Sequence, residues 1–333
     1  MVPWAFLFAP LAGLFTIPSP SEEPRSMRLV HTYSIVARDK ETGALGVAVQ
    51  SHWFSVGSVV PWAEAGVGAV ATQSFVDPSY GALGLEIMRS GRSAPEALRG
   101  LLAADAHQDV RQVAMIDAQG RVASHTGAHC IAAAGNIADM DEQFSVQANL
   151  MGKDTVWPAM AAAYRASKGD LAERLLATLD AAEKEGGDIR GRQSAAILIV
   201  KGTHSGKPWE DKLFDLRVED AETPLVELRR LVQLQRAYNH MNAGDLAVEK
   251  GDFAGANQAY TAAATLAPQI AELPYWQAVT LASKGQVDPA LPIFKAVFAR
   301  ERRWVELTPR LVPAGLLPND SEILKKILEQ APK

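Results

Sequence analysis

The polar residues best suited to chemistry fall at the ends of apolar runs. Ser51 and His52 close ALGVAVQSHW as a polar pair. Gln73, Ser74 and Asp77 lie at the end of GVGAVATQSF, and Asn149 sits in FSVQANLM. Asp188 and Arg192 belong to GGDIRGRQS, a glycine-rich turn entering a strand. Strand-end loops on a rigid scaffold are where binding and catalytic groups collect. Each residue also has a structural use: Asn149 can bond its own backbone, and Asp188 and Arg192 can form a loop salt bridge. His125, His129 and Cys130, in HTGAHC, invite a metal reading. On a strand, however, positions 125 and 129 would stand ~13 Å apart, and no fourth ligand is recognisable. The expectation is therefore no metal and no cofactor. No GxSxG elbow, GxGxxG turn or P-loop is present.

Composition narrows the partners. The chain has 333 residues, 48% apolar and 21% charged, which excludes a largely disordered, collagen-like or long coiled-coil protein. The net charge of −5 leaves no basic excess for phosphates, so nucleic acid is not an expected partner. The single cysteine, Cys130, excludes an internal disulfide framework and any CxxC site.

Residues 2–18 are uncharged and mostly apolar, but too short and proline-broken for a stable membrane span. Three readings stay open: a secretory signal, a structured extension, and a true start at Met27. The missing cationic region and cleavage motif favour a cytoplasmic chain; a genuine signal over 1–26 would make it exported.

The elements that must position these residues divide the chain in two. HTYSIVAR (31–38) and ALGVAVQSHW (44–53), separated by DKETG, predict a hairpin. GVGAVATQSF (66–75) predicts a third strand. A helix follows, stopped by Gly91, and a second starts with a capping box of Ser93 and Glu96. VRQVAMID and RVASHTG predict another hairpin, FSVQANLM a strand, then two helices, then strands over 194–202 and 212–220. This order predicts an α+β domain with helices outside two packed sheets; a parallel doubly wound fold is the weaker alternative. From about Thr223 the strand signals vanish and a 34-residue repeat appears. Gly251 maps to Gly285, Ala256 to Ala290 and Tyr260 to Phe294. At most two units are found, which resemble tetratricopeptide repeats and are flanked by helices near 224–241 and 320–329. Fewer than three repeats implies that this region leans on the first domain, as a docking surface or as a packing or dimer element.

The run HTYSIVARDKETGALGVAVQSHWFSVGSVVPWAEAGVGAVATQSFVDPSYG resembles the bacterial domain-of-unknown-function family 1028, grouped with the N-terminal-nucleophile (Ntn) hydrolases. DVRQVAMIDAQGRVASHTG, FSVQANLM, GGDIRGRQSAAILIV and DLRVEDAETPLVELRRL extend the resemblance over about 31–232. It implies a four-layer αββα sandwich over 31–222, after an extension at 1–30 and before an all-α tetratricopeptide-like region at 223–333.

The resemblance also implies hydrolysis of a small amide or peptide by an N-terminal threonine, Thr32, whose free α-amine would serve as base. Asn149 would donate to an oxyanion and Arg192 would orient a carboxylate or steady the amine, with His52, Gln73, Ser74, Asp77 and Asp188 around the substrate. The chain departs from the pattern at two points. His31 precedes Thr32, so a cut between them is required. No lysine occurs between Lys40 and Lys153, which disfavours the proteasome-like version. The alternative is a non-catalytic scaffold whose helical repeats at 223–333 dock a partner or a second copy.

Overall fold

The computed structural model describes residues 28–30 and 32–332. The competing readings of the N-terminal segment fall on residues outside that range. In chain order the strands and helices are β1 (Arg28–Val30), β2 (Thr32–Arg38), β3 (Leu45–Ser51), β4 (Pro61–Glu64), β5 (Gly68–Val76), α1 (Ser79–Arg89), α2 (Ala94–Ala104), β6 (Arg111–Asp117), β7 (Val122–Thr126), β8 (Gly135–Asp139), β9 (Phe144–Ala148), α3 (Val156–Ala166) and α4 (Leu171–Glu185). They continue with β10 (Ser194–Val200), β11 (Lys212–Val218), α5 (Pro224–Glu249), α6 (Phe253–Leu266), α7 (Glu272–Ser283), α8 (Val287–Arg300), α9 (Arg303–Leu307) and α10 (Ser321–Leu328).

The strands form two sheets. The first runs β1-β5-β6-β7, with β4 also on β5; the second runs β11-β10-β3-β2-β9-β8. Every described pairing between strands is antiparallel, which removes the doubly wound alternative. The expected hairpins are present: β2 and β3 pair from Thr32↔Ser51 to Arg38↔Leu45, and β6 pairs with β7 from Gln112↔Thr126. The capping box at α2 is also present, with the Ser93 amide donating to Glu96 Oε2 and the Glu96 amide to Ser93 Oγ. Strands β4 and β8 were not expected from the sequence. Both are short, lie at sheet margins and lack the alternating β-branched signal of interior strands.

Alternation along each strand sorts its residues by layer. Tyr33, Ile35 and Ala37 of β2 pack with residues of α3 and α4 such as Met160, Tyr164 and Leu175. Val36 of β2, Val47 and Val49 of β3, Ala69 and Ala71 of β5 and Ala114 and Ile116 of β6 fill the space between the sheets. Val70, Val113 and Met115 pack outward against α1 and α2. The result is a mixed α+β unit with helices over the outer faces of two facing antiparallel sheets, followed by a helical region, α5–α10.

The helical region is rooted in the first unit through α5. Leu225, Leu228 and Val232 join the core under α4, while Ala237 and Val248 lie further along the same helix among α6 and its neighbours. Arg229 and Arg236 reach Glu173 on α4. The 34-residue period is legible in the helices, since α6 and α8 span equivalent positions. Gly251 and Gly285 both stop the preceding helix with positive φ, +77° and +80°. Ala256 and Ala290 are fully buried, as are Tyr260 and Phe294. A Cβ at Gly244 would strike the Tyr260 ring, so the glycine permits the close approach of α5 and α6.

Phe294 sits between Tyr275 (centroids 6.0 Å) and Phe298 (5.5 Å) with no exposure. Truncation leaves a cavity the surrounding rings cannot fill. Phe294→Ala is therefore expected to destabilise the helical region by about 3–5 kcal/mol, measured as a lowered thermal midpoint.

Candidate functional site

The inward-facing ends of four neighbouring strands place polar groups side by side. Thr32 heads β2 and faces the other sheet, as Val36 does two turns of the alternation later. Its register partner Ser51 on β3 shares that face with Val47 and Val49, and Ser51 is itself paired with Ser194 on β10. On the other side, beyond the end of β9, Asn149 donates its amide to the Thr32 carbonyl at 3.1 Å. Thr32, Ser51, Asn149 and Ser194 are all fully buried. Ser194 is held by the Trp53 carbonyl and the Val56 amide.

Facing this row, carboxamides from both sheets interlock. Gln73 Nε2 donates to the Thr32 carbonyl (3.0 Å) and to Gln112 Oε1 (2.7 Å), while Gln73 Oε1 accepts from Ser34 Oγ (2.6 Å). Asn149 Nδ2 donates to Gln112 Oε1 at 2.8 Å and stands 3.5 Å from the Thr32 carbonyl. Gln112 Nε2 reaches the Ala148 carbonyl and Thr126 Oγ1, both at 2.9 Å. Gln147 Nε2 crosses to the Ala71 carbonyl at 3.1 Å. The Thr32 carbonyl is thus held by one group from each sheet.

The end of β5 is bent and braced. Ser74 has φ +71° and Leu150, after Asn149, has φ +56°, both in the left-handed region that costs a non-glycine residue of order 1–3 kcal/mol. Ser74 is fully buried and its hydroxyl makes no hydrogen bond of normal geometry. Burial pushes the nearby Cys130 thiol up, with the Ser74 hydroxyl acting weakly the other way, and the thiol itself donates to the Arg111 carbonyl. The Arg111 guanidinium, nearly buried, donates to the Phe75 carbonyl (2.6 Å) and Asp105 (2.8 Å) and lies 3.9 Å from Asp77. Asp77 also accepts from the Ser79 amide at the start of α1.

Residues 186–193 form a strap across the head of β2. On the β9 side, Gly152 donates to the Gly187 carbonyl, Met151 bridges Asp188, and Ile189 donates to the Leu150 carbonyl. On the β3 side, Gln193 donates to the Ser51 carbonyl and the His52 amide to Asp188 Oδ2. Because β2 lies between β9 and β3, the strap must cross its head. Gly191, at φ +110°, allows the tight return. Asp188 is buried and further bonded by the Arg190 amide and guanidinium.

Of the residues singled out in the sequence, Thr32, Gln73 and Asn149 come together between the sheets, with Ser74 adjoining Gln73. Asp77 lies further along, where β5 gives way to α1. Arg192, Asp188 and His52 gather at the strap. Arg192 pairs with Glu183 at 3.1 Å, and Glu183 also accepts from Tyr33 and Gln50, which face the helices, so Arg192 lies on the opposite face of β2 from the Thr32 side chain. Burial, reinforced by the Glu183 charge, raises the Tyr33 hydroxyl pKa well above its ordinary value. His125 and His129 bond Gln108 and Asp109 separately, and among the described residues no three His, Cys, Asp or Glu side chains are placed to hold a metal ion. Sequence reasoning missed Ser34, Gln112, Gln147, Ser194 and Glu183. The signal for the first four was a polar residue at an inward position of an otherwise apolar strand.

A family model described as a family of unknown function, DUF1028, matches residues 32–228, more than half of the chain. A crystal structure of a DUF1028 protein from Silicibacter pomeroyi is similar at TM-score 0.55 and 30% identity, over 61% of this chain and 85% of that one. No curated protein matches.

Two measurements test the geometry. Gln112→Leu strands the groups its carboxamide serves on both sheets. It is expected to cost at least ~2 kcal/mol in chemical denaturation. Burial opposes the Asp105 charge, yet hydrogen bonds from Arg111 and the His107 amide hold its carboxyl below the ordinary range. The stability from that ionised carboxyl is fully present above the unfolded value of about 3.9 and is lost as pH falls through the lower folded value. Asp105→Asn should therefore be less stable than the unaltered protein at neutral pH. The gap in denaturation midpoints should close on acidification.

Proposed function

The chain belongs to the family of unknown function DUF1028, and from that premise we propose that it is an Ntn-type amidohydrolase in which Thr32, once it is the first residue, attacks a small amide or peptide bond. The observation that carries the reading is the position of Thr32: at the head of a strand, facing the opposite sheet, with its carbonyl fixed by Gln73 and Asn149. The family match begins at the same residue. Two facing sheets covered by helices fit the four-layer αββα sandwich of Ntn hydrolases.

The chemistry requires hydrolysis of the His31–Thr32 peptide bond, which consumes one water and frees the Thr32 α-amine. That amine takes the hydroxyl proton as Thr32 Oγ bonds to the substrate carbonyl carbon. Asn149 Nδ2, 3.5 Å from the Thr32 carbonyl, would donate to the resulting oxyanion. Collapse breaks the C–N bond, the proton leaves with the amine, and water hydrolyses the ester to return Thr32 and a carboxylic acid. In the uncut chain Thr32 is fully buried, so the precursor is inactive in this reading. Arg192, bound to Glu183, acts from the far face of β2 by holding the strap rather than by touching substrate.

A second reading is favoured by the helical region. In the tetratricopeptide-like region, α5 and α6 present an open groove of about 550 Å³ lined by His240, Asn257, Gln258, Thr261 and Thr265. A chain that is never cut at Thr32 would serve as a scaffold through this surface.

Intact mass and N-terminal sequencing of the protein from its own host separate the two. The enzyme reading expects a chain beginning at Thr32, activity on amide substrates, and a folded Thr32→Ala protein at least about a thousandfold slower. A chain retaining His31 removes this mechanism and leaves the scaffold.

A further inference from the structure

The segment just ahead of Thr32 is a strand of the opposite sheet. β1 pairs antiparallel with the end of β5, Arg28↔Val76, Leu29↔Phe75 and Val30↔Ser74, and a single residue separates it from Thr32. On the same edge of β5, β4 covers only Gly68–Ala71. The part of the edge that carries β1 is therefore covered by nothing else among the strands described. It is also built to stay in shape without β1, since Arg111 grips the Phe75 carbonyl and is itself held by Asp105, and β6 continues alongside as far as Ser74↔Arg111.

From this pairing we infer that the Ser74–Val76 edge of β5 is the acyl-side binding site for an extended peptide or peptide-like amide, and that β1 is its built-in occupant. The inference rests on the reading of Thr32 as the reacting residue for the identity of the bond cut. Chain direction supplies the rest. β1 runs toward Thr32, so a substrate seated in its place presents its carboxyl-side carbonyl to Thr32, with the residues before that carbonyl paired to β5 and the leaving amine beyond. Recognition is by main chain, which an exposed sheet edge offers to any extended segment. A compact acyl group has no backbone to place on that edge, so the site favours peptidic acyl groups of at least three residues. While β1 is attached it competes at the high effective concentration of a tethered segment.

The test uses the full chain and requires no turnover. A fluorescein-labelled peptide, Arg-Leu-Val-His-amide, is titrated against the unaltered protein and against a variant in which Arg28→Gly, Leu29→Gly and Val30→Gly loosen β1. The expected result is binding at least tenfold tighter to the variant, lost when the peptide is N-methylated at its Leu and Val. Equal binding to both proteins overturns the inference, as does an N-methylated peptide that binds as well as its parent. If the triple variant has a depressed melting temperature, Leu29→Pro replaces it and the same two comparisons decide. Peptide binding without amide hydrolysis by a Thr32-initiated chain would leave the inference standing and remove the Thr32 chemistry. Hydrolysis of short acyl amides with no peptide binding would do the reverse.

Discussion

Everything at the head of β2 depends on one constraint: the carboxamides of Gln73, Gln112, Gln147 and Asn149 are fully buried and must find partners inside the protein. A buried amide left unpaired costs ~1–3 kcal/mol. Their partners come from both sheets, so the network closes at one spacing and one register of β2 and β9 against β5 and β6. The apolar contacts between Val36, Val47, Ala71 and Ala114 supply more of the stabilising free energy, but they are non-directional and would tolerate a slip. The polar end therefore specifies the alignment that the apolar end stabilises. Gln147 Oε1 is the group this arrangement leaves without a bond.

One helix carries that alignment outward in both directions. Near its start, α4 offers Asp170 and Glu173 to Arg236 and Arg229 of α5, and so anchors the helical region. Near its end, Glu183 binds Tyr33 of β2, Gln50 of β3 and Arg192 of the strap. The strap in turn ties β9 to β3 across the strand that lies between them. The head of β2 is thus fixed by the carboxamides at Thr32 on its inner side and, through Tyr33, by α4 on its outer side. Neither set of contacts depends on the other's chemistry.

Much of this was legible in the sequence. The strong hairpins β2–β3 and β6–β7 announced themselves by alternation, α2 by Ser93 and Glu96, and the helical period by Gly251, Ala256 and Tyr260 and their counterparts 34 residues on. The resemblance pointed to Thr32, and the inward phase of β2 would have predicted that it faces the other sheet. What could not be read was which polar groups converge. Gln112 and Gln147 lie 35 residues apart on strands of different sheets, and nothing local says that both serve one network. The resemblance puts Arg192 and Asn149 in one catalytic set. The pleat separates them, since the strap returns over the helix-facing side of β2 while Asn149 points inward. β4 and β8 escaped because marginal strands need little hydrophobic periodicity.

The peptide link ahead of Thr32 has an unusual position. β1 belongs to the first sheet and β2 to the second, and only one residue joins them. A covalent crossing so short would be a staple between the sheets if nothing else aligned them. Yet the same end of the sandwich already holds Gln73 on the Thr32 carbonyl, Gln112 on the Ala148 carbonyl and Gln147 on the Ala71 carbonyl, each crossing between sheets. Alignment is over-determined there, so the covalent crossing is redundant for the fold. The proposed cut there would free the Thr32 amine while those three crossings still hold the two sheets together. That redundancy is what the proposed cut ahead of Thr32 would require of the fold.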